Sequence, residues 1–169
     1  MRTDFRFCPN CGSRLALRRI EFHDLPACLR CGFVAWKGPK VAVALLASDE
    51  RGRLLAIRRG MPPGAGGWAF PGGYVDDLEE PAAGAARECL EETRCRTAVG
   101  GLLGAFHVVT EEGALVVLAY RGTLTGGEPT PTEEASELGC FSPAELPELV
   151  FSSHRQALEA WLATRDTGS

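Results

Sequence analysis

The sequence predicts a fold of the mixed α/β (α+β) class with a small cysteine-bearing module in front of it. Three features carry that reading: two C-x2-C knuckles before residue 32, strand-like apolar runs from Val41 onward, and a helical segment with periodic glutamates near residue 85. At 169 residues the chain has room for one sizeable core and one small appendage. Its apolar and charged fractions, 45% and 24%, are those of an ordinary globular domain in water.

The first module rests on Cys8-Pro9-Asn10-Cys11-Gly12 and Cys28-Leu29-Arg30-Cys31-Gly32, with sixteen residues between the knuckles. Paired knuckles at this distance have zinc-ribbon spacing. The glycine after each pair lets the backbone turn tightly, so that its N–H groups face the thiolate sulfurs. Thiolates from Cys8, Cys11, Cys28 and Cys31 would close the coordination sphere, which makes the expected zinc structural, holding a segment too small for a core of its own. A redox role for the two pairs is the competing reading, and the paired spacing favours zinc. The expected division is a ribbon over residues 1–38 and a second domain over 39–169. Cys89, Cys95 and Cys140 stand in apolar contexts and read as packing residues.

Charge divides the chain in the same way. Residues 1–40 carry eight Arg and Lys against three Asp and Glu, or +5, and residues 41–169 carry ten against nineteen, or −9. A basic ribbon raises the question of nucleic acid, but its cations are scattered and few aromatics interleave them, so no nucleic-acid partner is expected. The longest apolar run, Val41 to Ala47, is too short to span a bilayer, and the N-terminus is charged where a signal peptide needs apolar residues. A cytoplasmic protein without membrane association is expected, its cysteines reduced or metal-bound.

Val41–Ala47 and Leu54–Arg58 read as strands joined by a turn at Asp49-Glu50-Arg51-Gly52. Met61 to Gly67, with three glycines and two prolines, reads as a loop. Trp68–Phe70 leads as a short strand into Pro71-Gly72-Gly73, and a helix follows from Pro81, a residue suited to the first turn. Within that helix Ala82, Ala85, Ala86 and Cys89 form a small-residue stripe for close packing, while Glu88, Glu91 and Glu92 stand at i, i+3 and i+4 on another side. Like charges so spaced repel by a few tenths of a kcal/mol per pair, and hard oxygen ligands in this pattern suit magnesium, manganese or calcium. Taken alone, three helical glutamates read more simply as a solvated acidic face. Further strands are expected at Val99–Val109 and Leu115–Tyr120, a turn-rich loop at Gly126–Thr132, and a closing helix capped by Ser153, with Ala157, Leu158, Trp161 and Leu162 inward.

The full pattern displaces the solvated-face reading. Gly73, Glu79, Arg87, Glu88, Cys89, Glu91, Glu92 and Cys95 fit Gly-x5-Glu-x7-Arg-Glu-U-x-Glu-Glu-x-Gly-U, with U apolar, and this resembles the Nudix box. Arg94 departs from it, standing where the family has glycine. Glycine would end the helix in a left-handed conformation at little steric cost, so arginine implies mild strain or a different exit. The resemblance implies a mixed sheet sandwiched between helices. The ribbon, Gly67-Trp68-Ala69-Phe70-Pro71-Gly72-Gly73-Tyr74 and Leu149-Val150-Phe151-Ser152-Ser153 look like a zinc-ribbon subgroup that includes plant-type ADP-ribose and FAD pyrophosphatases.

What the resemblance implies is hydrolysis of the pyrophosphate bond in a nucleoside diphosphate linked to another group, with ADP-ribose or FAD leading and AMP released. It makes Glu88 and Glu92 ligands of Mg2+ or Mn2+, Glu91 a ligand or proton acceptor, and the carbonyl of Gly72 or Gly73 a further ligand. It also pairs Arg87 with Glu79. A general base in this superfamily often lies outside the box, and Glu137, then Glu134, then Glu133 are the candidates here. Trp68, Phe70, Tyr74 and Phe151 offer rings for a base, with core packing an equal reading, and Arg58 or Arg59 offers a guanidinium for phosphate. Two alternatives stay open: an NADH or other dinucleotide pyrophosphatase, although the chain lacks the Ser-Gln-Pro-Trp-Pro-Phe-Pro element of that group, and a nucleotide-sensing module without turnover. Many relatives in the family form dimers, so a homodimer is one option, and the sequence leaves the oligomeric state open.

Overall fold

The structure, a computed structural model, describes residues 5–111 and 113–166. It divides into two compact units, one of Met1–Pro39 with Val109–Ala114 and the other of Lys40–Val108 with Leu115–Ser169. In the first unit, β1 (Ala16–Ile20) and β2 (His23–Ala27) form an antiparallel hairpin that runs from Ala16↔Ala27 to Ile20↔His23. The hairpin joins two similar knuckles. In each, the first cysteine donates its N–H to a residue five positions on, Ser13 or Phe33, and accepts at its carbonyl from Gly12 or Gly32. Gly12 and Gly32 have φ of 70° and 78°, the left-handed region where a side chain is disfavoured.

The second unit is built on one sheet. Its strands are β3 (Lys40–Ser48), β4 (Leu54–Arg59), β5 (Trp68–Ala69), β6 (Arg96–Thr110), β7 (Gly113–Gly126) and β8 (Ala135–Phe141). The order is β5-β4-β3-β7-β6, with β8 also paired to β4. β3 and β7 are parallel from Lys40↔Leu115 to Ser48↔Thr123, while β4 is antiparallel to β3, β5 and β8.

The unbroken apolar run of β3 has a direct cause, since both of its faces are covered. Val43, Leu45 and Ala47 pack with Ala85 and Cys89 of α1 (Pro81–Thr93). Ala44 and Leu46 point the other way, with Ala157 and Trp161 of α2 (Ser152–Asp166) in their cluster. The mixed sheet between helices is therefore present. Cys89 and Cys95 are buried in the α1-side cluster, and burial pushes the Cys89 thiol up to about 12, as suits a packing residue.

Several boundaries differ from expectation. β6 begins at Arg96, ahead of its expected start at Val99, and β7 runs on to Gly126, well past its expected end at Tyr120, since strand pairing carries residues that hydrophobicity does not mark. The closing helix begins at Ser152, so Ser153 lies inside the first turn, and Leu162 is 39% exposed where an inward position was expected. Among the described residues no helix is long and apolar enough to cross a membrane.

Candidate active site

The site is assembled where β3, α1 and the glycine turn after β5 meet. Pro71, Gly72 and Gly73 run along β3: Leu45 N–H donates to Pro71 O, and Val43 N–H donates to Gly73 O. A Cβ on Gly72 would lie 2.1 Å from Val43 O, and one on Gly73 would lie 2.5 Å from the Glu88 carboxylate. Both glycines are therefore set by close approach, Gly72 to a strand and Gly73 to a carboxylate.

Glu92 is 2% exposed, and Gly72 N–H donates to its Oε2 at 2.9 Å. Burial pushes its carboxyl up to about 8, with Glu88 and Glu134 raising it and the Gly72 N–H and Arg59 opposing. Glu88 is raised by the same cause, burial first, against the pull of Arg87 and with a push from Glu91 and Glu134. Two carboxylates held above their ordinary range, Glu92 buried and Glu88 half-buried, with a third nearby, form a negative site that favours a cation.

Arg87 binds three carboxylates at once. Its Nε and Nη2 reach Glu79 at 2.8 and 2.9 Å, and its Nη1 reaches Glu88 and Glu91, both at 2.9 Å. Nη2 also donates to Tyr74 O. Arg87 holds the Glu79 carboxyl down at about 2, and the Asp76 N–H adds to the effect. This brace explains Gly84, where a Cβ would come 2.8 Å from Glu79 Oε2.

Arg94 settles how the helix ends. It adopts the left-handed conformation itself, at φ 64° and ψ 11°, and its N–H donates to Leu90 O. The exit is that of a glycine cap, at a cost of about 1 kcal/mol for the side chain. The last carbonyls are satisfied by the following loop, as Thr132 Oγ1 donates to Glu92 O and Thr130 N–H to Thr93 O. These bonds fix the 130–134 segment against α1, while Gly60 N–H donates to Glu134 O from the end of β4.

The candidate bases separate at this point. Glu134 lies near enough to Glu88 and Glu92 for its charge to raise both. Glu137 stands opposite Arg58 in the β4–β8 register and pairs with it at 3.2 Å. Glu133 lines an open cleft with Glu134. Adjacent strand residues face opposite sides of a sheet, so Arg58 and Arg59 diverge. Arg59 sits 5.2 Å over the Phe151 ring, its Nε donates to Pro63 O, and its charge acts on Glu92.

The aromatic candidates also divide. Phe70 is 1% exposed with its ring stacked on His154, and Trp68 packs edge-on against Phe141. Phe151 meets the edge of His154. Tyr74 is 52% exposed, with Lys40 over its ring. His154 itself has no counterpart among the sequence candidates. It is buried, its Nδ1 accepts Phe70 N–H at 3.0 Å, and burial holds it down at about 3, so it is neutral with the proton on Nε2. It anchors the strand that delivers the glycine turn.

In the ribbon the four Sγ atoms of Cys8, Cys11, Cys28 and Cys31 lie within 4.8 Å of one another, with Cys8–Cys31 and Cys11–Cys28 both at 3.5 Å. Tetrahedral zinc with its usual sulfur bonds asks for about 3.8 Å between sulfurs. The cluster is compatible with zinc. The glutamates of α1 do not converge so tightly: among the described residues this is the group whose ligand atoms all come within that distance.

A model of the NUDIX domain matches residues 38–162. A MutT-like protein from Streptomyces ambofaciens is 37% identical over 108 residues, or 64% of this chain and 67% of that protein. An ADP-ribose pyrophosphatase from Methanocaldococcus jannaschii is 30% identical over 147 residues, or 85% of this chain and 83% of that one. Among solved structures, a NUDIX hydrolase from Nitrosomonas europaea superposes with a TM-score of 0.85 at 27% identity, covering 97% of this chain and 94% of that one. The matched span takes in the glycine turn, the glutamate helix and the loop that carries Glu134, and the chain accordingly belongs to the NUDIX domain family of hydrolases.

Proposed function

We propose that this hydrolase cleaves the pyrophosphate bond of ADP-ribose or FAD, releasing AMP, with Mg2+ or Mn2+ at the glutamate site. The carrying observation is Glu92, a buried carboxylate under the Gly72 N–H with Glu88 and Glu134 beside it. Such a group is stable as an anion only with a cation close by. The similarity to an ADP-ribose pyrophosphatase supports the substrate class.

Glu88 and Glu92 are assigned as ligands, Glu91 as a ligand or proton acceptor, and the Gly72 carbonyl as a further ligand, since Val43 already draws the Gly73 carbonyl toward β3. A bound divalent ion supplies charge neutralisation at the phosphates and acidifies a water. Glu134 is assigned as the general base ahead of Glu137, because its charge acts on Glu88 and Glu92 while Glu137 is paired with Arg58. In the reaction Glu134 takes the proton of the attacking water, the P–O–P bridge breaks, and AMP departs from ribose 5-phosphate or from FMN. Arg87 keeps Glu88 and Glu91 oriented and ties them to Glu79. Arg59 and Tyr74 are assigned to substrate.

The test is a panel of ADP-ribose, FAD, NADH and nucleoside triphosphates with magnesium or manganese, read by chromatography of AMP and phosphate. Expected is AMP from ADP-ribose or FAD, absent in Glu92→Gln, with a fall in kcat of at least about 100-fold in Glu134→Gln and little change in Glu137→Gln. A preference for NADH would move the assignment to the dinucleotide reading. Tight nucleotide binding without turnover would make the chain a sensor.

A further inference from the structure

Beside the glutamate helix is an open cleft of about 940 Å³ lined by Met61, Glu91, Arg94, Pro131, Thr132, Glu133 and Glu134. Two of its walls, Glu91 and Glu134, belong to the group of carboxylates around Glu88 and Glu92, so the cleft opens onto the reacting site. Among the described residues that line it Arg94 is the sole cation, and its backbone bears the strain of a left-handed conformation.

Two simpler roles for Arg94 fail. Capping the helix is done by its backbone N–H, and the carbonyls of Glu92 and Thr93 have Thr132 and Thr130 as donors, so the guanidinium is not needed there. Pairing with the cleft carboxylates is not used either: Glu91 is bound to Arg87, and the Arg94 guanidinium makes no hydrogen bond or ion pair among the described residues. A cation kept unpaired at a cost in backbone strain, in a cleft of three carboxylates, has five donors directed at whatever enters.

We infer that Arg94 is a substrate-binding arm that grips a phosphate of the nucleotide as it lies across the glutamate site. This rests on the pyrophosphatase reading and refines it: the substrate spans from Glu88 and Glu92 to the end of α1, and an arginine at the helix exit supplies the positive charge that the cleft otherwise lacks. The bidentate guanidinium fork matches a phosphate in a way that a glycine there cannot.

The test uses Arg94→Gly, Arg94→Lys and Arg94→Glu in the full chain. Glycine relieves the left-handed strain, so the variant should fold at least as well as the parent, which is checked by its melting temperature. Expected for Arg94→Gly is a rise in KM for ADP-ribose of about tenfold with kcat unchanged, as for a lost charge-assisted hydrogen bond. Arg94→Lys should recover part of the loss and Arg94→Glu should deepen it. The parent KM should also rise more steeply with salt than that of Arg94→Gly. An unchanged KM in Arg94→Gly, or a fall in kcat alone, overturns the assignment. If the parent turns over no nucleotide, the pyrophosphatase reading is what fails, and Arg94 is then judged by calorimetric titration with inorganic pyrophosphate. A tenfold weaker affinity in Arg94→Gly supports the arm, and equal affinities overturn it.

Discussion

Glu92→Gln should abolish turnover and yet leave the metal-free protein more stable than its parent at alkaline pH. The Glu92 carboxyl is 2% exposed, and its folded value is about 8 against an ordinary 4.5. Its folded form therefore holds a proton that the unfolded chain gives up. Below pH 4.5 both states are protonated and the group costs nothing. Between pH 4.5 and 8 the unfolded state loses its proton first, and stability falls by about 1.4 kcal/mol per pH unit. Above pH 8 the full penalty stands, on the order of 3–5 kcal/mol, a large part of the total stability of a domain this size. Glutamine is neutral throughout and keeps an acceptor for the Gly72 N–H. Urea unfolding, followed by circular dichroism in buffer without added divalent cations, measures the difference at pH 5, 7 and 9. Parent and variant should nearly coincide at pH 5, with the variant ahead by about 3–5 kcal/mol at pH 9. Added magnesium or manganese should close the gap by stabilising the parent alone. A variant no more stable than its parent at pH 9 would refute the argument that Glu92 is a buried charge in need of a cation.

Gly73→Ala places a Cβ 2.5 Å from the Glu88 carboxylate, so activity should fall more than 10-fold while circular dichroism shows an intact fold. Cys28→Ser removes one of four clustered thiols, and zinc measured on purified protein should drop from one per chain to near zero with faster proteolysis within residues 5–39. His154→Leu strips the Phe70 N–H of its acceptor and should cost about 1–3 kcal/mol by urea unfolding at pH 7. Because His154 is held down at about 3, the parent loses stability as pH falls from 6.5 toward 3, and the variant should lack that component of acid unfolding.

Much of the fold was legible because it rests on local patterns. β3 is apolar at every position that touches either helix, so its run announces a strand covered on both faces. The hairpin of the ribbon was not legible, since β1 and β2 bury little and carry no long alternation. The glutamates proposed as metal ligands were legible for the same reason as β3: Glu88, Glu91 and Glu92 lie within five residues of one helix. What the sequence left open was geometry set by pairing. Whether Arg58 or Arg59 faces Glu92, and whether Glu134 or Glu137 does, depends on the β4–β8 register and on the shift between Arg58 and Arg59, which no single strand encodes.

His154 shows why some site residues escape a linear reading and what signal would recover them. Its partner Phe70 is 84 residues away, and neither residue belongs to a motif that names the other. The closing helix nonetheless carries His154, Ala157 and Trp161 at i, i+3 and i+7, the spacing of an inward face. A histidine on that stripe must be buried, and a buried neutral histidine needs a donor for the ring nitrogen that bears no proton. The nearest unpaired donors of an α/β unit lie where a strand leaves its sheet, and β5 ends at Ala69, immediately before Phe70. The same helix that closes the core on one face therefore holds the glycine turn in register for Glu92 on the other. Packing and chemistry meet in one hydrogen bond, which is why the stability of this domain and the geometry of its site should be lost together when His154 is replaced.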